Sequence, residues 1–354
     1  MAERAGTRAV VDYPQVHLYD ETDSEEDAGR RLARLLRDLD IEAPFVISSQ
    51  FGRKLAAALE GPRPPHFHDA SADQRVARML GSRARKSGAD AIVAVGGGRC
   101  LDVAKLAAAR AGLTVVAVPT QLSHDGICSP VAVVPDESGR SQSLGALSPR
   151  AVFLSIPTLL DAPGDSVRAG VGDLLANPLA LRDWALAAER GLDEIDQRAW
   201  ELSAESIELI KPHLDADPEQ SAKDPAFLRR LADALILSGM AMILSGTSRP
   251  ASGAEHEISH AIDAAFGGRA LHGAQVAFGC IFSVELYGED THAFRRRLAT
   301  LALPRHPAEL DLGEDDLVRL LLAAPDTRPG RFTILEDADL DGEGARALVR
   351  RIWN

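Results

Sequence analysis

Residues 89–105 read ADAIVAVGGGRCLDVAK. The run AIVAV is continuously apolar, rich in β-branched residues and one strand long, and reads as a buried strand. Gly96, Gly97 and Gly98 end it, and LDVAKLAAARAG behind them is patterned as a helix closed by Gly112. A strand, three glycines and a helix N-terminus put bare backbone N–H groups where a pyrophosphate can approach. Three glycines also suit an ordinary tight turn, so the loop alone leaves both readings open.

On either side the same alternation continues. APFVISS (43–49) and LTVVAVPT (113–120) read as strands and GRKLAAALE (52–60) as a helix, so residues from about 28 to 135 predict βαβ units with a parallel sheet. A nucleotide site belongs at the carboxyl ends of such strands. Beyond about residue 155 the texture changes to long Ala/Leu-rich segments, DLLANPLALRDWALAAERG and FLRRLADALILSGMAMILSG, with no strands between them. The predicted class is an α/β Rossmann-like domain over residues 1–155, followed by an all-α domain over 156–354. HLDADPEQSAKDPA (213–226) reads as an exposed connector and RHPAELDLGEDD (305–316) as an acidic loop, although either could be a helix end.

The length of 354 residues suits two domains, and the net charge of −13 argues against nucleic acid or acidic membranes as partners. No run approaches the roughly 18 apolar residues of a membrane span. The start MAERAGTRAV lacks the apolar stretch of a secretory signal, which predicts a cytoplasmic protein. Cys100, Cys128 and Cys280 form no CxxC pair and fit a reducing compartment, each as a small buried residue.

A Lewis-acidic divalent metal needs three or four N/O ligands and one open position. Asp173 in GVGDLLAN, His256 and His260 four apart in GAEHEISH, and His272 in LHG offer such a set. Each has a plainer reading alone, since an i,i+4 histidine pair is commonly a surface pair.

Together these segments carry a resemblance. GGGRCLDVAK resembles the glycine signature of the iron-type alcohol dehydrogenase and dehydroquinate synthase-like superfamily. Within it, VPTQLSHDGICSP (118–130), DLLAN, SRPASGAEHEISHAID (248–263), LHGAQVAFG (271–279) and RFTILE (331–336) resemble, in order, the glycerol-1-phosphate dehydrogenase family. The resemblance spans about residues 90 to 340. It implies a dehydroquinate synthase-like fold, and a cofactor site that includes Gly96, Gly97, Gly98, Asp102, Lys105, Thr120 and Ser123, with Asp102 and Lys105 tying down the loop. It also implies that Asp173, His256 and His272 are ligands for zinc or nickel, that His260 lies near the open coordination position, and that His124 and Asp125 sit between nicotinamide and substrate. Iron-type members carry a histidine where Asn177 stands, which favours zinc or nickel over iron. Arg99 stands in place of the usual lysine, Gly172 in place of the usual alanine, and the first ninety residues match in pattern only.

The expected reaction is reduction of dihydroxyacetone phosphate to sn-glycerol 1-phosphate by NAD(P)H, with the metal stabilising charge on the ketone oxygen and His260, His124 or Asp125 at the reacting centre. Arg249 and Arg269 are candidate cations for the substrate phosphate. Ser48 and Ser49 end the strand FVISS with no carboxylate following and with Arg53 and Lys54 nearby, so the ribose at Ser49 admits NAD(H) or NADP(H). A homodimer is expected. The alternatives are a dehydrogenase of glycerol or a specialised polyol on the same scaffold, a dehydroquinate synthase-like cyclase, and a catalytically silent binding protein.

Overall fold

Val93, the middle of AIVAV, is wholly buried, as are its neighbours on both faces of the strand, so this segment packs at the centre of the first half of the molecule. The computed structural model describes residues 13–19, 25–57, 59, 66–67, 73–136 and 141–353. Its strands are β1 (Gln15–Tyr19), β2 (Pro44–Ser48), β3 (His66–Phe67), β4 (Ala91–Gly96), β5 (Thr114–Pro119), β6 (Val131–Pro135), β7 (Ser141–Gly145) and β8 (Ala151–Ser155). Six of them form one sheet in the order β1-β8-β5-β4-β2-β3, with every pairing parallel. β6 and β7 make a separate antiparallel hairpin.

The helices α1 (Glu25–Asp38), α2 (Arg53–Ala57), α3 (Gln74–Lys86) and α4 (Gly98–Ala111) connect the strands. Gly112 ends α4 in the left-handed conformation, φ 65°, as the sequence predicts. β2 is not the first strand: β1 precedes it and pairs with β8, a partner far along the chain that the short, half-polar QVHLY does not reveal. The start MAERAGTRAV and the last residues of GRKLAAALE lie outside the described residues, apart from Leu59.

From residue 156 onward the described residues contain no strand. The helices there are α5 (Ile156–Leu160), α6 (Gly164–Leu174), α7 (Asn177–Glu189), α8 (Gln197–Ile210), α9 (Pro218–Ser221), α10 (Pro225–Ser245), α11 (Ala254–Phe266), α12 (His272–Leu286), α13 (Thr291–Thr300), α14 (Glu314–Ala323), α15 (Ile334–Ala338) and α16 (Gly342–Trp353). The connector 213–226 is mostly exposed, anchored by buried Leu214 and Ala222, and contains α9. The three cysteines are free and buried, as expected of small core residues. No helix among the described residues is long and apolar enough to cross a membrane.

Candidate active site

Two helices meet without side chains between them. A methyl group added to Gly273, on α12, would lie 1.9 Å from the Ala169 carbonyl oxygen of α6, and one added to Gly172 would lie 2.5 Å from the Gly273 carbonyl oxygen. This near-contact of backbones sets Asp173, next to Gly172, opposite His272, next to Gly273. It also accounts for glycine at position 172. α11 brings His256 to the same place.

Asp173 Oδ1 stands 3.7 Å from His256 Nε2 and 3.9 Å from His272 Nε2. One ligand atom from each of the three residues lies within 4.8 Å of the others. Asp173 Oδ2 accepts a hydrogen bond from the Asp125 backbone N–H at 2.9 Å, while buried Oδ1 has no hydrogen-bond partner. An orphaned carboxylate oxygen facing two imidazole nitrogens fits a divalent cation of zinc or nickel type. The supporting contacts agree, since His256 Nδ1 is 3.0 Å from Glu255 Oε1, a carboxylate that turns Nε2 toward the site. Burial, then the Asp125 charge, raises the Asp173 carboxyl well above its usual range, and burial lowers both histidines. Each shift is one that a bound dication reverses.

Asn177 is turned away from this set. Its Nδ2 donates to Ser206 Oγ at 2.7 Å and Ser238 Oγ at 3.2 Å, and Ser238 donates to Asp125 Oδ2 at 2.9 Å. Asn177 therefore braces Asp125 through Ser238. Burial pushes the Asp125 carboxyl up to about 6.

The glycine loop lies beside this centre. Gly97 caps α4 without a side chain, leaving the first N–H groups of the helix open to an anion. A methyl group at Gly98 would sit 2.0 Å from His124 Nε2, and one at Gly96 2.9 Å from Ser49 Oγ, so His124 and Ser49 both border the loop. His124 Nδ1 accepts from Gly126 N at 2.9 Å, which leaves the ring proton on Nε2. Thr120 is tied to the loop through its N–H to the Gly96 carbonyl, and Ser123 is buried beside it.

Four expected residues have partners within the protein itself. Lys105 is fully buried, donating to the Gly126 and Ser129 carbonyls and pairing with Asp102 at 3.1 Å, and Asp102 accepts from Val133 N. Both hold down residues 126–133, and Asp102 Oδ1 is buried beside Lys105 Nζ without a hydrogen bond of its own. Arg249 is buried in a salt bridge to Asp193 at 2.7 Å and a bond to the Phe332 carbonyl, so its charge is already neutralised. Arg269 lies over the Phe266 ring and 3.9 Å from exposed Asp311.

His260 Nε2 is 3.0 Å from Arg328 Nη2, and because arginine only donates, that nitrogen is an acceptor and the ring proton is on Nδ1. Arg328, Arg331, Glu255 and Ser238 were not singled out in the sequence. The quoted motifs contain two of them, Glu255 in GAEHEISH and Arg331, the first residue of RFTILE.

Residues 23–163 match the family model described as iron-containing alcohol dehydrogenase. The glycerol-1-phosphate dehydrogenase (NAD(P)+) of Methanospirillum hungatei JF-1 is 38% identical over 268 residues, 75% of this chain and 73% of that protein. The chain belongs to the glycerol-1-phosphate dehydrogenase family. A second member, from Methanothermobacter thermautotrophicus, is 34% identical over 92% of this chain and 93% of its own. Among solved structures, a probable glycerol dehydrogenase from Sinorhizobium meliloti 1021 superposes with a TM-score of 0.77 at 21% identity, over 97% of both chains. That likeness establishes the fold, an α/β half with a helical half, while the glycerol-1-phosphate dehydrogenase relatives establish an NAD(P)-dependent oxidoreductase of metal-dependent type.

Proposed function

We propose that this protein interconverts dihydroxyacetone phosphate and sn-glycerol 1-phosphate with NAD(H) or NADP(H). The observation that carries the reading is the convergence of Asp173, His256 and His272 within 4.8 Å, beside a glycine loop whose helix start is uncapped. In this reading Gly96, Gly97 and Gly98 receive the pyrophosphate, Ser49 borders the adenosine ribose, and Thr120 and Ser123 line the cofactor side. When bound, the nicotinamide supplies the hydride and the cation held by Asp173, His256 and His272 stabilises negative charge on the ketone oxygen.

The chain's own residues arrange the rest. Asp125, held by Ser238 and with its N–H fixed on Asp173, stands at the centre with a carboxyl that exchanges its proton near neutral pH, which suits it to relay the alcohol proton. His124 packs on the glycine loop and faces His272 edge-on at 5.7 Å, a wall between cofactor and substrate. His260 offers Nδ1–H as a second relay, its Nε2 being taken by Arg328.

The chain divides near residues 155 and 156, where the last strand of the sheet ends and the helices begin. It acts in the cytoplasm, in keeping with three free thiols. It forms a homodimer, for which exposed Leu192, Leu271 and Leu322 on the helical half are available apolar surface; light scattering tests this. The reaction itself is tested with metal-reconstituted protein, dihydroxyacetone phosphate and both enantiomers of glycerol phosphate. Turnover confined to the sn-1 enantiomer is expected, and oxidation of only the sn-3 enantiomer, or of glycerol in preference to both, refutes the reading.

A further inference from the structure

We propose that Arg328 and Arg331, with Ser248 and Ser143, form the seat of the substrate's phosphate; this rests on the reading of the site as one for a phosphorylated ketone. The two guanidiniums converge on one hydroxyl. Arg328 Nη1 donates to Ser248 Oγ at 2.7 Å and Arg331 Nη2 donates to the same oxygen at 2.8 Å. Arg328 Nη2 also reaches Ser143 Oγ at 3.1 Å, and Arg331 Nη1 the Ser252 carbonyl.

Neighbouring cations sharing a buried hydroxyl repel, and protein sites of this kind normally place a carboxylate between them. Here none is present: among the described residues no carboxylate oxygen lies within 4.0 Å of either guanidinium, whereas Arg249 nearby has Asp193. Arg328 Nε is buried without any hydrogen-bond partner. Glu255 and Glu257 on α11 act on both guanidiniums through space without forming an ion pair: Glu255 Oε1 is held by Gly253 N and His256, Glu257 Oε2 by Thr333 Oγ1, and the second oxygen of each is buried without a hydrogen bond. Burial pushes the Arg331 guanidinium down to about 9, with Arg328 adding to the effect. The seat is thus a pair of desolvated guanidinium forks with one unmet donor, Arg328 Nε, and no carboxylate paired directly to either, which is what a phosphate dianion satisfies bidentately.

Its position agrees with the substrate's length. Arg328 touches His260, whose ring centre is 6.0 Å from that of His272 and 6.4 Å from that of His256. A triose phosphate carries its phosphorus three single bonds, about 4 Å, from the keto carbon. A ketone facing Asp173, His256 and His272 therefore lays its phosphate against Arg328. Ser143 comes from β7, so the hairpin of the α/β half closes one side of the seat.

The test compares dihydroxyacetone phosphate with unphosphorylated dihydroxyacetone in the parent, Arg328→Met, Arg331→Met and Arg328→Lys, with metal content and unfolding midpoint measured on each. The methionine variants should lose at least about a hundredfold in the ratio of kcat/KM for the phosphorylated over the unphosphorylated ketone, and Arg328→Lys, which keeps the charge but not the fork, should fall between. Independently of turnover, inorganic phosphate should raise the parent's unfolding midpoint above that in chloride of equal ionic strength, and this rise should vanish in Arg328→Met. A parent that prefers the phosphorylated ketone while both methionine variants keep its ratio and its response to phosphate overturns the seat alone. A parent indifferent to the phosphate overturns the phosphorylated-ketone reading and the seat with it.

Discussion

Gly273→Ala should empty the metal site while leaving most of the fold standing. The added methyl would lie 1.9 Å from the Ala169 carbonyl oxygen and 3.0 Å from Asp173 Cβ. A backbone carbonyl in mid-helix cannot swing aside, so α6 and α12 must part by roughly 1.5 Å to reach the usual contact distance near 3.5 Å. Overpacking of this kind costs about 1–3 kcal/mol. The larger effect falls on the ligands, because Asp173 and His272 flank this contact and their facing atoms already stand 3.9 Å apart. Metal sites tolerate ligand displacements of only about 0.2 Å, so a loss of at least about a hundredfold in metal affinity is expected. Gly172→Ala meets the Gly273 carbonyl oxygen at 2.5 Å, a smaller intrusion, and should cost less. Competition for zinc against a chromophoric chelator, with far-UV circular dichroism to check folding, measures both. If Gly273→Ala binds zinc within about threefold of the parent, or if Gly172→Ala is the worse of the two, the argument that glycine contact sets the ligand spacing is refuted.

Chelation should abolish activity and zinc or nickel restore it, and His256→Ala or His272→Ala should lower turnover by several orders of magnitude; full activity of metal-free protein, measured with metal content in parallel, excludes this. Glu257, pushed up to about 9 by burial, holds a proton in the folded chain that it loses near pH 4.5 when unfolded, so stability falls as pH rises between those values, by up to about 1.4 kcal/mol per pH unit. Urea unfolding at pH 6 and pH 8.5 should show this slope in the metal-free parent and a shallower one in Glu257→Gln; equal slopes contradict it. Ser49→Asp should depress use of NADP(H) by about tenfold or more relative to NAD(H), through repulsion of the 2′-phosphate, and unchanged relative kcat/KM for the two cofactors means another residue reads the ribose.

The parts of the site that were legible in the sequence are those whose chemistry is local. AIVAVGGG announces a strand and a phosphate loop because period and glycine act within a dozen residues, and the spacing of His256 and His260 is a helical repeat. Asp173 and His272 were reached through family resemblance, since what joins them is the contact of two glycines on different helices. Arg328 and Arg331 bound RPGR, a segment whose proline and glycine advertise only a turn, and their meaning lies in a convergence on Ser248, a residue some eighty positions earlier in the chain. Lys105 shows the converse: its place after the glycines suggests a ligand contact, while its four-carbon reach into residues 126–131 makes it a brace. β1 was missed because QVHLY is short and has no partner nearby in the chain.

That remote pairing bears on how the molecule is made. β8 inserts between β5 and β1, with Gln15 opposite Ala151 and Val116 also opposite Ala151, so the sheet cannot close until residue 155 has been synthesised. At roughly 5–20 residues per second, a nascent chain that has completed β5 at Pro119 waits a few seconds for β8, with the hydrogen-bonding edge of β5 and the early strand β1 both unpaired. High contact order of this kind slows folding and leaves edges that recruit other chains. Recombinant production should therefore benefit more from slower translation or a chaperone during this interval than from changes that stabilise the finished fold.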